Sequence, residues 1–402
     1  MQVIPVEIET VSPLSIAQRR GVDNVLRTLE YLPGSTWRGA LAQAYVEQGW
    51  QAEDEFKNLF VEEQAVFCDL LLEGGQHIPL TASTCKYHGG FHASDSENHG
   101  VFDIVIPFLR HECWGVPLPE EVQSCNKNGN LHQRFSCSET PMEPFRGFYS
   151  SEPMRRITVD KVLIGHTQID DLSHTAKHET LYMLEVIQQR QKFSGYIQLL
   201  SDYSTPRLNQ MLTAGATIWI GSDKSRGLGL AKLRRSPTTG ASTKERTKEL
   251  TNALDIFNRR IRRDLDGQQI ESVRSDLVIF PVTLLSRAIV VDGFLRGKPL
   301  LEPEDFYDSY DSNCWKAWKL IRAWNATCPV DGWNSLTRFP KLSETAIVPG
   351  SVFVYAASLN EILKDDLIDA LINLEQNGVG YRRAEGFGQI RVCDSFHSEA
   401  AK

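Results

Sequence analysis

No stretch of this 402-residue chain is apolar for long enough to cross a bilayer. The chain opens on a strand pattern rather than on a basic, then apolar leader, so no signal peptide is expected and the expected address is the cytoplasm. There, eight cysteines are thiols or metal ligands rather than disulfides. No two of them are spaced Cys-x-x-Cys, which removes the usual zinc-ribbon signature. No glycine run ends in Gly-Lys-Ser/Thr, so a P-loop is excluded. Clustered carboxylates for a metal-dependent nuclease are missing, and no histidine has an evident fixed partner for acid/base work. What remains, 41% hydrophobic and 23% charged, is the composition of a globular protein long enough for two domains.

The stretch Gly378-Val-Gly-Tyr-Arg-Arg-Ala-Glu-Gly-Phe-Gly388 organises the chain. A helix pattern, Leu363 to Glu375, leads into it, and a strand pattern, Gln389 to Val392, leaves it. Dinucleotide-binding loops have the opposite order, strand first and helix second. Its glycines free the backbone to turn and present N–H groups, and its arginines suit phosphate. A second loop, Gly221-Ser-Asp-Lys-Ser-Arg-Gly-Leu-Gly229, has the same flanks: strand Ser194–Leu200 and short helix Pro206–Leu212 before it. In the C-terminal copy, strand Gly350–Tyr355 and the Leu363 helix hold those places. A repeated unit of this kind is stronger evidence than one loop. The plainer alternative is a pair of solvated turns.

Net charge is −8, which by itself disfavours a nucleic-acid partner. Its distribution points the other way. Residues 223–263 hold twelve Lys/Arg against four Asp/Glu, so +8 there and −16 elsewhere. A basic patch on an acidic body suits contact with RNA on one side and protein on others.

At the N-terminus, Gln2–Glu9 alternates as a strand with one wet face. After Arg19 and Arg20 comes Pro33-Gly-Ser-Thr-Trp-Arg-Gly-Ala-Leu, where Ser35 is a good N-cap. The helix start there, with Gly34, Ser35 and Arg38, is chemically suited to phosphate, with simple capping as the alternative. Residues 56–150 are dense in Cys and His at irregular spacing. The reading is therefore no cofactor and no metal, with a structural zinc the single exception and Cys85, Cys113, Cys125 and Cys137 its weak candidates. Strand patterns Arg155–Ile164 and Thr180–Ile187 form a hairpin whose polar tip carries His166, His174 and His178. Pro237-Thr-Thr-Gly-Ala-Ser-Thr reads as a linker. Asp276–Leu285 and Arg287–Phe294 read as strands of a second domain, and the tryptophans at 315, 318 and 324 as packing.

The motif Pro33–Leu41 and the two glycine-rich loops, the last running into Glu385-Gly-Phe-Gly-Gln-Ile, resemble the repeat-associated mysterious proteins (RAMPs) of CRISPR effector complexes. With Cys85-Lys86 before an insertion and Phe145-Arg-Gly-Phe-Tyr at its end, the chain is similar to the Csx-ten subunit, of the Cas-five group, of type III-D systems. That resemblance implies an α+β fold of two ferredoxin-like, RNA-recognition-motif-like domains in tandem. The first, 1–240, would carry the Cys/His insertion 56–150 and a hairpin thumb 155–190; a basic helical linker, 241–270, would lead to the second, 271–396. It implies an RNA-binding, non-catalytic subunit of a type III ribonucleoprotein in antiviral defence. Such a subunit caps the 5′ handle of the guide crRNA and joins the large polymerase-like subunit to a backbone RAMP subunit. Target RNA is met only indirectly, and no membrane is involved. The RNA-binding residues would be Arg19, Arg20, Ser35, Arg38, Lys224, Ser225, Arg226, Gly227, Gly229, Arg382, Arg383, Gly386, Phe387 and Gly388. Relatives often carry a paired-cysteine motif near the end of the insertion, where this chain has only the separated Cys125 and Cys137. The alternative function is a Cas-six-like endoribonuclease using His166, His174 or His178 on precursor crRNA. A subunit that binds only protein is a third reading.

Overall fold

The computed structural model describes residues 2–17, 24–92, 97–126, 137–170, 175, 180–237, 243–263, 277–309, 313–334 and 339–399. The architecture is mixed α/β. The chain divides into two compact units, 1–75 with 157–240 and 384–386, and 76–156 with 241–383 and 387–402. Part of the insertion expected in the first domain thus groups with the second unit.

In the first unit, β1 (Gln2–Thr10) alternates as its sequence suggests, with Ile4, Val6 and Ile8 fully buried. Helix α1 (Gly34–Glu47) follows and puts Trp37, Leu41 and Tyr45 on its inner face, at the i, i+4 spacing of one helical stripe. Then come β2 (Ala65–Phe67), β3 (Lys192–Leu199), α2 (Pro206–Ala214), β4 (Ala216–Trp219) and β5 (Leu230–Arg235). The sheet runs β4-β5-β1-β3-β2, with antiparallel neighbours. Buried Glu55 ties the two helices to each other. It accepts the Tyr45 hydroxyl at 2.8 Å and the backbone N–H groups of Arg207 and Leu208 at 2.9 and 2.8 Å. A carboxylate there satisfies the orphan donors of the first turn of α2 and opposes the helix dipole. Burial, then the Glu55 charge, pushes the Tyr45 hydroxyl far above its ordinary pKa. Of the expected hairpin, Lys161–His166 pairs with Tyr182–Ile187, which also pairs in parallel with Val25–Leu26. Residues 155–157, read as part of the same strand, lie instead in the strand Met154–Ile157 beside Phe148–Ser151.

The second unit's sheet is built from β6 (Leu277–Leu284), β7 (Trp318–Trp324), β8 (Val352–Ser358) and β9 (Ile390–Val392), in the order β7-β8-β6-β9. Strand β6 is apolar except for Thr283 because both its faces are covered. Val278, Phe280, Val282 and Leu284 face a core shared with Leu367, Leu371 and Leu374 of α4 (Lys364–Asn377). Ile279 faces the other way, toward Phe257 and Ile261 of α3 (Thr243–Arg262) and toward Val105 and Leu109. Helix α3 is the segment read as a basic linker; Leu250 and Leu254 place it in this core. Its buried Asn258 clamps the backbone of β6, donating to the Ile279 carbonyl at 2.8 Å and accepting the Ile279 N–H at 3.0 Å. Trp318 packs on Phe280 and Phe306, with ring centroids 5.2 and 5.5 Å away, so its packing role holds on a strand. Arg287–Phe294 makes isolated bridges rather than the expected strand. Within 76–156, four short strands pair in the order Val101–Asp103, Ala82–Cys85, Thr140–Pro144, Ser124–Cys125.

The repeat read from the sequence is visible in both sheets. Each places its first strand (β1, β6) between a central strand (β3, β8) and a last strand (β5, β9). In each, a helix and a glycine loop connect the central strand to the last. The copies differ between first and second strands: α1 lies there in one, while the other has 3₁₀ turns at Pro303–Ser309 and Asn313–Ala317.

Candidate nucleic-acid interface

Both glycine loops share one backbone design. Asp223 and Arg382 are left-handed, with φ of 54° and 58°, and each is followed by a single 3₁₀ turn, Lys224–Arg226 and Arg383–Glu385. Gly229 and Gly388 occupy equivalent places. Gly229 N–H donates to Pro13 and its carbonyl accepts from Ile220; Gly388 N–H donates to Arg287 and its carbonyl accepts from Val379. A Cβ on Gly229 would stand 2.2 Å from the Ile220 carbonyl oxygen, and one on Gly388 1.8 Å from that of Val379. The last glycine of each loop therefore serves close packing of the protein's own backbone, and Gly388, expected to admit an RNA phosphate, is buried. Gly229 is buried in the same way.

The loops differ in what they expose. Lys224, Ser225, Arg226 and Gly227 form an exposed crest, and a Cβ on Gly227 would meet nothing within 4 Å. Arg226 donates from Nη1 to the Tyr182 hydroxyl at 2.8 Å and to Asp223 Oδ1 at 3.0 Å, while 53% of its side chain stays exposed. Tyr182 belongs to the hairpin, where its ring stacks on His166 with centroids 5.2 Å apart. In the C-terminal loop, Ala384, Gly386, Phe387 and Gly388 are buried. Arg382 bonds Glu344 at 2.6 Å and lies 4.8 Å above the Phe387 ring, and only 18% of its side chain is exposed. Arg383 reaches the Asn377 carbonyl at 3.4 Å. The Arg382 charge and the Phe387 ring are here engaged inside the protein, while Tyr381 of the same loop is 53% exposed.

The remaining expected contacts are scattered. Arg19 and Arg20 lie outside the described residues. At the start of α1, the Gly34 N–H already donates to Asp69 Oδ1 at 2.7 Å, so a carboxylate stands where a phosphate was expected. Ser35 makes no side-chain cap, and Arg38 reaches the Phe60 carbonyl at 3.0 Å. Several side chains of the basic segment are structural. Arg246 pairs with Glu375 at 2.7 Å, Arg260 and Arg262 bond backbone carbonyls, and Arg234 pairs with Glu9 at 2.8 Å. Of the hairpin histidines, His166 is placed as above, while His174 and His178 lie outside the described residues. Of the metal candidates, Cys85, Cys125 and Cys137 converge, whereas Cys113 is exposed on the helix Val105–Trp114.

One group escaped the sequence reading. His397 Nδ1 lies 2.8 Å from Asp103 Oδ2, and its Nε2 lies 2.9 Å from the Thr283 hydroxyl. A hydroxyl, an imidazole and a carboxylate in that order resemble a nucleophilic triad, but all three residues are at most 3% exposed, so the group serves as an internal strut. Burial alone would lower the His397 pKa; the Asp103 charge and hydrogen bond, together with the Asp394 charge, outweigh it and the net shift is upward. No local sequence signal joins three residues so far apart in the chain.

No protein-family model and no curated protein matches the chain. Among solved structures it is similar to a chain of the type III-B Cmr-beta complex bound to cognate target RNA, with 12% identity over 97% of this chain and 99% of that one and a TM-score of 0.38. A Cas6 product complex aligns with 51% of this chain and 78% of its own, at 13% identity and a TM-score of 0.31. Cmr4 (Cas7) of Pyrococcus furiosus aligns with 59% of this chain and 100% of its own, at 12% identity and a TM-score of 0.25. All three superpositions are loose.

Proposed function

We propose that the chain is a non-catalytic RNA-binding subunit of a type III CRISPR effector complex, of the Csx-ten kind. In this reading it holds the 5′ handle of the guide crRNA between the large polymerase-like subunit and a backbone RAMP subunit. The observation that carries the reading is the exposed crest Lys224–Gly227 tied through Arg226 to Tyr182 on the hairpin. Cations and exposed backbone hold phosphates without reading sequence, and aromatic rings stack on unpaired bases. The paired strand–helix–loop–strand halves and the motifs shared with that family support the ferredoxin-like tandem and hence the class.

Replacing both Lys224 and Arg226 by alanine should weaken handle-RNA binding by about tenfold for each charged hydrogen bond to phosphate removed, whatever the sequence. It should also flatten the log–log salt dependence by roughly 0.7 per neutralised phosphate on a single strand. Arg382→Ala, whose guanidinium is engaged by Glu344, should leave that slope unchanged. The measurement is affinity at several salt concentrations, with circular dichroism to confirm folding. A folded Lys224→Ala/Arg226→Ala variant with wild-type affinity and slope would remove the crest from the RNA. Repeat RNA incubated with the protein should stay intact. A unique cut lost in His166→Ala, His174→Ala or His178→Ala would mark a processing enzyme instead.

A further inference from the structure

Cys85, His99, Cys125 and Cys137 come from four separate places in the short-stranded region of the second unit. Cys85 ends the strand Ala82–Cys85, His99 precedes Val101–Asp103, Cys125 ends Ser124–Cys125, and Cys137 leads into Thr140–Pro144. All four are buried, none more than 6% exposed. One ligand atom from each lies within 4.8 Å of every other. Cys85 Sγ stands 3.6 Å from Cys137 Sγ, and His99 Nδ1 stands 3.2 Å from Cys125 Sγ.

Those distances exclude a disulfide and fit a metal site. A disulfide needs about 2.05 Å between sulfurs, so the first pair is unbonded. Around a tetrahedral zinc, Zn–S near 2.3 Å and Zn–N near 2.05 Å set edges of roughly 3.8 Å between sulfurs and roughly 3.5 Å between nitrogen and sulfur. The two observed separations fall close to such edges. The backbone N–H groups of Tyr87 and His88 donate to the Cys85 sulfur. Donors so placed favour a metal-bound thiolate and fix its orientation.

The packing argues independently. Among the described residues, the apolar cluster around these side chains consists of the three cysteines with Met142 packed against them. Three thiols and one thioether bury little apolar area, and strands of two to five residues contribute little more. Ala82 and Val101 of the same strands pack with Phe91, Phe145 and Tyr149 in a separate apolar cluster, so a metal would hold the cysteine end, where little apolar area is buried.

We propose that Cys85, His99, Cys125 and Cys137 bind one structural zinc ion as a closed Cys₃His site. Four protein ligands leave no position for water or substrate, so the ion staples rather than catalyses. On binding, the thiols release their protons and the imidazole binds neutral. The irregular ligand spacing, which suggested no metal from sequence alone, reflects ligands gathered from strand ends rather than from one knuckle. Cys113 takes no part.

Elemental analysis of the purified full chain, reconstituted with zinc and dialysed, should give one zinc per chain. Exchange for cobalt(II) should give the intense ligand-field bands of tetrahedral thiolate coordination. Cys125→Ser and Cys137→Ser should lose the ion, and Cys113→Ser should keep it. Should the serine variants fail to fold, the wild-type chain decides: a mercurial titration of its thiols should release zinc to an indicator dye in step with their reaction. A folded wild-type chain without stoichiometric zinc, a Cys85–Cys137 disulfide found by mass spectrometry, or a full metal complement in a folded Cys125→Ser variant would each overturn the proposal.

Discussion

Gly388→Val is expected to destabilise the second unit severely. Gly388 has a φ of 73°, a region that side chains with a Cβ rarely adopt and β-branched ones least of all. A Cβ would stand 1.8 Å from the Val379 carbonyl oxygen. The obstacle is backbone, and it is fixed: Val379 N–H donates to the Gly388 carbonyl at 2.9 Å, and Gly388 N–H donates to Arg287 at 2.7 Å. Relief means breaking both bonds and moving the start of β9. A loss of at least about 4 kcal/mol is expected, a large part of the roughly 5–15 kcal/mol that holds a typical domain. Gly229→Val should behave alike in the first unit, against Ile220. Gly227→Ala, with open space around it and a φ of 83°, should cost only about 1–2 kcal/mol. Thermal unfolding followed by circular dichroism checks the series. A soluble Gly388→Val chain melting near wild type would refute the close-packing account of this glycine.

Removal of the Asp103 carboxylate should have the second largest effect. Asp103→Ala leaves His397 buried without its counter-charge, and breaking a buried pair in this way costs about 3–5 kcal/mol. The pair also sets a pH dependence. His397 holds its proton more tightly folded than unfolded, since the Asp103 charge and hydrogen bond, together with the Asp394 charge, outweigh burial. The contribution is therefore complete below the unfolded histidine value, about 6.5, and is lost as pH rises through the higher folded value. Urea unfolding over a pH series should show stability falling on the alkaline side of about pH 6.5. In Asp103→Asn and in His397→Gln that slope should shrink. A wild-type profile identical in shape to that of His397→Gln would show that the pair does not hold the proton.

What the sequence made legible was whatever repeats or alternates. Ile4, Val6 and Ile8 announced β1, and the helix–glycine loop–strand order announced both sheets, because periodicity and turn chemistry are local. Exposure is not local. Gly227 and Gly386 sit at equivalent loop positions with φ of 83° and 91°, yet one is open and the other buried. A glycine required by the backbone looks the same in either setting. Arginines misled for a related reason. Arg246, Arg260 and Arg262 read as a free basic face, but guanidinium groups also bond carboxylates and carbonyls inside a protein. Three members of the Cys₃His cluster were named as weak candidates from the sequence, but their grouping with His99, like the Thr283–His397–Asp103 strut, was illegible because each gathers residues that only the folded backbone makes neighbours.

Glu55 and Asp69 have a further effect on anything negatively charged that approaches the first unit. The starts of α1 and α2 are the natural landing points for a phosphate, and each already carries a resident carboxylate from the chain itself. An RNA backbone drifting along this unit would meet repulsion at both helix ends and attraction at Lys224 and Arg226. In the proposed RNA-binding role, two plugged sites and one open crest would favour a single register of the strand, with its phosphates on the crest. Stability and positional accuracy would then come from the same two acidic side chains.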